Sequence, residues 1–163
     1  MVHDYNRVAI ITGTTSGIGN ALMRKFISSG FGVVGNGRRI DKLVSLKEEM
    51  GPAFCGIDGD ASDQSVIDRL FQAATDHFGK AADTIVVNAG RGLGGSVKDA
   101  DFSEFEDLFK INVNGALLLM QRAARKMVQI QETGYPQSAC DIVVIGSVVG
   151  RNISPYSAVY GAS

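Results

Sequence analysis

Little in this sequence points to an exported or membrane-bound protein. It has two cysteines, Cys55 and Cys140, far apart in the chain. Two such residues make no disulfide framework and read as core positions in a reduced compartment. Charge of one sign is not in excess either. There are 16 basic residues against 17 acidic ones, and a net charge of −1 offers no basic field to nucleic acid or an anionic membrane. No apolar run reaches transmembrane length, and the opening MVHDYNRVAIITG holds no signal-peptide core. No repeat, low-complexity tract or linker interrupts the chain. The expectation is a soluble cytoplasmic protein of one domain, with no nucleic-acid partner, no membrane partner and no metal.

What the sequence does have is apolar residues, 45% of the chain, and 20 glycines gathered at the ends of apolar runs. Glycine placed in this way marks backbone that turns sharply or approaches something closely. Short apolar runs read as strands over 7–12, 32–36, 53–58, 83–90 and 140–147. Amphipathic stretches read as helices over 17–30, 41–50 with Asp41 as its cap, and 62–79 with Ser62 or Asp63 as its cap. A long helical region over 102–130 is expected to bend near Gly115, and 134–139 reads as a turn. Near-continuous apolar strands alternating with helices predict a parallel sheet covered on both faces. The fold class is therefore α/β, a Rossmann-like doubly wound sheet in three layers.

Between the first strand and first helix lies TGTTSGIG (12–19). A helix N-terminus offers free N–H groups and a positive dipole end, so it suits a phosphate. Gly13 permits the tight turn, Gly17 a close backbone approach, and Gly19 the packing of helix on strand. Thr14, Thr15 and Ser16 add hydroxyl donors. The spacing, G-x-x-x-G-x-G, is a variant of the dinucleotide fingerprint.

With this loop the chain resembles the short-chain dehydrogenase/reductase family, whose pyrophosphate loop reads T-G-x-x-x-G-[IL]-G and so takes in Ile18. The resemblance extends along the chain. VVNAG (86–90) is similar to the family's N-N-A-G strand end, with Val87 for the first Asn. INVNG (111–115) is similar to its N-[VL]-x-G helix motif. VVIGS (143–147) is similar to the strand that ends in its serine, and YGAS (160–163) to the start of Y-x-x-x-K. The resemblance implies an NAD(P)-dependent oxidoreductase that interconverts a small secondary alcohol and a ketone. A catalytically silent nucleotide-binding module of the same fold is the alternative. An epimerase on the related extended scaffold fits the loop spacing less well.

The second strand ends VVGNGRR (33–39). Enzymes that take NAD place an acidic side chain there to bind the ribose hydroxyls. Gly37 at that position has none. Arg38 and Arg39 follow, and a guanidinium suits a 2′-phosphate and stacks on adenine. The expected cofactor is NADP(H) rather than NAD(H). By resemblance, Asp60 receives the adenine amino group, with Asp58 the competitor, and Ala61 contributes backbone. Asn88, Ala89 and Gly90 would lay backbone against the ribose.

Hydride transfer requires one proton moved at the substrate oxygen. A tyrosine, with a free pKa of about 10, does this at neutral pH only beside a cation, and a second donor must hold the oxygen. The resemblance assigns Tyr160 as acid/base and as a cofactor contact, with Tyr156 a rival. Ser147, thirteen residues earlier, holds the substrate oxygen. Asn112 supports a proton path; its rival Asn114 lacks the N-x-x-G spacing to Gly115. The family's lysine falls one position beyond Ser163. The expectation is therefore a segment of a longer polypeptide, with 1–163 alone nearly inactive. The complete protein is expected to be a homodimer or homotetramer through the long helix. Arg151 and Asn152 are candidate substrate contacts, and the substrate itself is not readable.

Overall fold

Five apolar runs become strands: β1 (Arg7–Ile11), β2 (Phe31–Gly37), β3 (Phe54–Asp58), β4 (Thr84–Val87) and β5 (Asp141–Val144). In the computed structural model, which describes residues 5–132, 139–152 and 155–163, they form one parallel sheet in the order β3-β2-β1-β4-β5. Residues 134–138 of the expected turn lie outside the described residues. β1 is central, with Ile10 level with Val34 on one side and Ile85 on the other.

Alternation along each strand sorts the core into two layers. Val8, Ile10, Val34, Ile85 and Val87 face α3 (Gln64–Phe78) and α5 (Ala116–Glu132), against Leu70, Ala74, Leu119 and Ala123. Ala9, Ile11, Val33 and Val86 face α1 (Gly17–Ser28) and α2 (Ile40–Met50), against Met23, Leu43 and Leu46. Over β1, β2 and β4 both sheet faces are covered, which is why these strands need apolar residues at nearly every position, whereas Ile142, Val143 and Val144 of the edge strand β5 are exposed. Truncating a side chain as buried as Leu70 typically costs about 2–5 kcal/mol. Cys55 and Cys140 pack half-buried against the first layer, and burial pushes both thiols up.

Three local expectations are corrected or refined. α2 starts one residue early, so Asp41 sits in its first turn and Arg39 takes the cap position; the carboxylate complements the dipole there instead of capping. At α3 Asp63, one of the two expected candidates, holds the N-cap position, but its side chain makes no capping bond. Instead Asp60 Oδ1 accepts from the Ser62 N–H (2.9 Å) and hydroxyl (2.7 Å), which turns the chain into the helix. The long helical region is two helices, α4 (Phe102–Phe109) and α5, joined by a π-helical turn over Lys110–Gly115.

At the amino ends of the strands Arg7 forms a bracket. Its Nε donates to Asp83 (2.9 Å) and its Nη2 to Asp141 and the Ala139 carbonyl (both 2.7 Å), with the guanidinium over the Phe31 ring.

Candidate active site

Connections from β1 to β2 and from β3 to β4 leave in opposite directions across the sheet, so a crevice opens at the carboxyl ends beside β1. A cleft of about 690 Å³ occupies it, within the usual size range for small ligands.

The phosphate loop forms one wall. Gly13 has φ +74°, and a Cβ there would lie 2.9 Å from Asn88 Nδ2. Gly17 has φ +56° and open space where a Cβ would stand. At Gly19 a Cβ would fall on the Gly13 carbonyl and on Asn88, so the helix could not close on the loop. The Ser16 hydroxyl makes no capping bond to α1, leaving the first-turn N–H groups without that acceptor. Thr14 departs from expectation. It is fully buried, and its N–H and hydroxyl both donate to the Asn36 carbonyl (2.8 and 3.2 Å), so it braces the loop and does not face the cleft. Gly13, Thr15, Ser16 and Ile18 line the cleft; Gly17 and Gly19 are not among its lining residues, Gly17 standing exposed at the start of α1 and Gly19 buried in its first turn.

Asn88 stitches the end of β4 to this loop. Its Nδ2 donates to the Thr12 carbonyl (2.8 Å), while the N–H groups of Asn88 and Ala89 donate to the buried Thr12 hydroxyl (both 3.0 Å). Asn88, Ala89 and Gly90 all line the cleft.

At the far end Arg38, Arg39, Asp60 and Ala61 line the same cleft. Arg39 donates from Nη2 to the hydroxyls of Thr15 (2.9 Å) and Ser16 (2.8 Å) and from Nε to Thr15 (3.3 Å). Burial raises the Asp60 carboxyl. The Ser62 bonds and the charges of Lys110 and Arg38 outweigh burial and hold the carboxyl below the ordinary aspartate range. Asp58, its rival, pairs with Arg69 (3.3 Å) and does not line the cleft.

On the remaining side stands Tyr160, in the short helix α6 (Ala158–Ala162), where it lines the cleft. Tyr156 does not. It is 76% exposed, with φ +58°. Ser147 ends the fifth strand's run and caps a 3₁₀ turn, its Oγ accepting from the Val149 N–H (3.2 Å). α6 packs on that turn, with Gly161 against Val149. Ser147 itself is not among the residues lining the cleft. Asn112 lies in the π-helical turn. Its Oδ1 accepts from the Arg91 N–H, and its Nδ2 donates to the Arg91 carbonyl and the Ser163 hydroxyl, all at 3.0 Å. One side chain thus joins the turn, the loop after β4 and the helix of Tyr160. Asn114 is exposed, as are Arg151 and Asn152.

Asn36, Lys110 and Ile111 also line the cleft and were not singled out from sequence. Asn36 sits in the VVGNG run, where a polar residue amid an apolar strand is a usable signal. It is buried, and its amide donates to the carbonyls of Ile57 (3.2 Å) and Gly59 (3.1 Å). Lys110 carries no sequence signal. It reaches Asp63 (3.5 Å) and Asp60 (3.9 Å) across the cleft's edge.

The profile of the family described as short chain dehydrogenase matches residues 7–163. An uncharacterized oxidoreductase of Staphylococcus epidermidis is 29% identical over 157 residues, 96% of this chain and 65% of that protein. Sulfoacetaldehyde reductase 2 of Chromohalobacter salexigens is 32% identical over 163 residues, 96% of this chain and 60% of that protein. A crystal structure of 3-ketoacyl-(acyl-carrier-protein) reductase from Brucella melitensis, complexed with NADH, matches with a TM-score of 0.87 at 28% identity, over 97% of this chain and 64% of that one. The chain therefore spans 60% to 65% of the length of these relatives. On its sequence, its fold and the arrangement of its cleft, the chain belongs to the short-chain dehydrogenase family.

Proposed function

We propose that this chain supplies the nucleotide-binding and acid–base parts of an NADP(H)-dependent oxidoreductase that interconverts a small secondary alcohol and a ketone. One observation carries the reading: the phosphate loop, the Arg38–Arg39 pair and Tyr160 share a single cleft. The residues fit a dinucleotide. The space beside Gly17 admits a pyrophosphate to the α1 N-terminus. Two guanidinium groups line the cleft and suit the added charge of a 2′-phosphate, and Gly37 offers no carboxylate to the ribose. When bound, the nicotinamide supplies or accepts the hydride.

The chain's own groups do the rest. Tyr160 Oη gives or takes the proton at the substrate oxygen. Ser147 holds that oxygen; its Oγ accepts the Val149 N–H, which leaves the hydroxyl proton for the substrate. The Asn112 amide is spent on Arg91 and Ser163, so its part is to position the loop after β4 beside the helix of Tyr160.

The test uses the full-length protein, NADPH or NADH, and a panel of small ketones and aldehydes. NADPH is expected to show the lower KM. Tyr160→Phe is expected to cut kcat by about 10²–10⁴-fold with NADPH affinity within about twofold. Binding without turnover would instead identify a silent nucleotide module, and equal or better use of NADH would sink the cofactor assignment.

A further inference from the structure

We infer that Thr15 is a specificity-determining residue for the nucleotide and acts through both branches of its side chain. Its hydroxyl fixes Arg39, and its methyl group fills the space that an acidic residue at position 37 would need. The inference rests on the NADP(H) reading of the cleft and says which contacts produce that preference.

The hydroxyl branch is seen in the hydrogen bonds. Thr15 Oγ1 accepts from both Nη2 (2.9 Å) and Nε (3.3 Å) of Arg39, and Ser16 Oγ takes a second bond from Nη2 (2.8 Å). Arg39 is also the residue before α2, so its backbone is fixed by the helix start. An exposed arginine otherwise spreads over many rotamers, and a ligand that binds it must offset the cost of ordering it. Docked on two loop hydroxyls, this one is ordered before any ligand arrives. Only the second guanidinium, that of Arg38, stands outside this clasp, in the field of Asp60.

The methyl branch is seen at Gly37. A Cβ built there would fall on Thr15 Cγ2, with Thr15 Oγ1 next at 3.2 Å and Cβ at 3.4 Å. Threonine is stiff about its first torsion. Turning it to clear the methyl would carry the hydroxyl away from Arg39. An acidic residue at 37, which would favour NAD(H), therefore conflicts with Thr15 in place. Gly37 and Thr15 form a matched pair.

The two branches separate by substitution. Thr15→Val keeps the methyl and loses the hydroxyl; Thr15→Ser does the reverse. NADPH and NADH dissociation constants would be measured on the full-length protein by nucleotide fluorescence. Thr15→Val is expected to weaken NADPH by about five- to tenfold, the scale of one lost hydrogen bond, with NADH within about twofold. Thr15→Ser should leave both within about twofold. Gly37→Asp alone should bind both nucleotides poorly, and adding Thr15→Ser should recover NADH binding by about tenfold or more. Where Gly37→Asp does not fold, Gly37→Ala replaces it, and its drop in thermal midpoint must shrink when Thr15→Ser is added. Unchanged NADPH affinity in Thr15→Val overturns the inference alone. So does NADH binding by Gly37→Asp that matches the double variant, or a Gly37→Ala cost that Thr15→Ser leaves intact. A wild-type protein that holds neither nucleotide overturns the underlying reading and this inference with it.

Discussion

Gly17 and Gly19 stand two positions apart in one motif and are glycines for different physical reasons. Gly17 has a left-handed φ of +56° and nothing within 4 Å of where a methyl would stand, so what it supplies is conformation. Gly19 has ordinary helical backbone, and what it supplies is room against the Gly13 carbonyl and Asn88. Gly17→Ala should cost about 1–2 kcal/mol, and Gly17→Asn less, since asparagine enters the left-handed region more readily. Gly19→Ala should cost about 1–3 kcal/mol as overpacking, and Gly19→Asn no less than Ala. Urea midpoints of the four variants check this; equal Ala and Asn costs at position 17 would contradict it. Thr14 makes the same point about hydroxyls. Its neighbours Thr15 and Ser16 face the cleft, while it is buried on Asn36.

At the scale of elements, the π-helical turn over Lys110–Gly115 does the most to assemble the site. It presents Asn112 to Arg91, Lys110 to Asp60 and Asp63, and Gly115 to the loop that opens α3. A Cβ on Gly115 would lie 2.9 Å from Ser62 Cα and 3.1 Å from the Ala61 carbonyl. Gly115→Ala should therefore push the turn off the Ala61–Ser62 loop and lower stability by about 1–3 kcal/mol. It should weaken NADPH and NADH in equal proportion, because the adenine end is common to both. Thermal midpoints with both dissociation constants check this; a loss confined to NADPH would argue against it. The strands and most helices were legible because apolar runs of strand length and glycines at their ends are local signals. The turn was legible only as a bend near Gly115. The wider i→i+5 winding of such a turn leaves almost no trace in an apolar period, and the side-chain bonds that anchor it join Asn112 to a residue 21 positions away. The start of α3 was legible in position, since Asp63 does hold its N-cap, but not in its bonding, for a local reason. Asp60 acts two residues before the start of the helix's capping segment, through Ser62, where the sequence offers three equally plausible polar residues.

For the whole molecule, the order of the sheet puts the earliest strand at its centre and all the binding groups at one edge. The Arg7 bracket holds the opposite edge, tying β1 to β4 and β5. Arg7→Met keeps the aliphatic stem but leaves Asp83 and Asp141 without their cation. It should lower stability by about 1–2 kcal/mol, given how far the group is open to solvent, with NADPH affinity unchanged because the cleft lies across the sheet. Urea unfolding with a parallel nucleotide titration checks both. The same strand order has a consequence for synthesis. β1 can pair with β2 soon after both leave the ribosome, but its other neighbour comes far later, since Ala9 pairs with Thr84. At a translation rate of about 5–20 residues per second, the roughly 75 positions between them take roughly 4–15 s. For that interval the central strand of the sheet has an open edge, and its protection falls to chaperones or to the nascent α1 and α2 folded over one face.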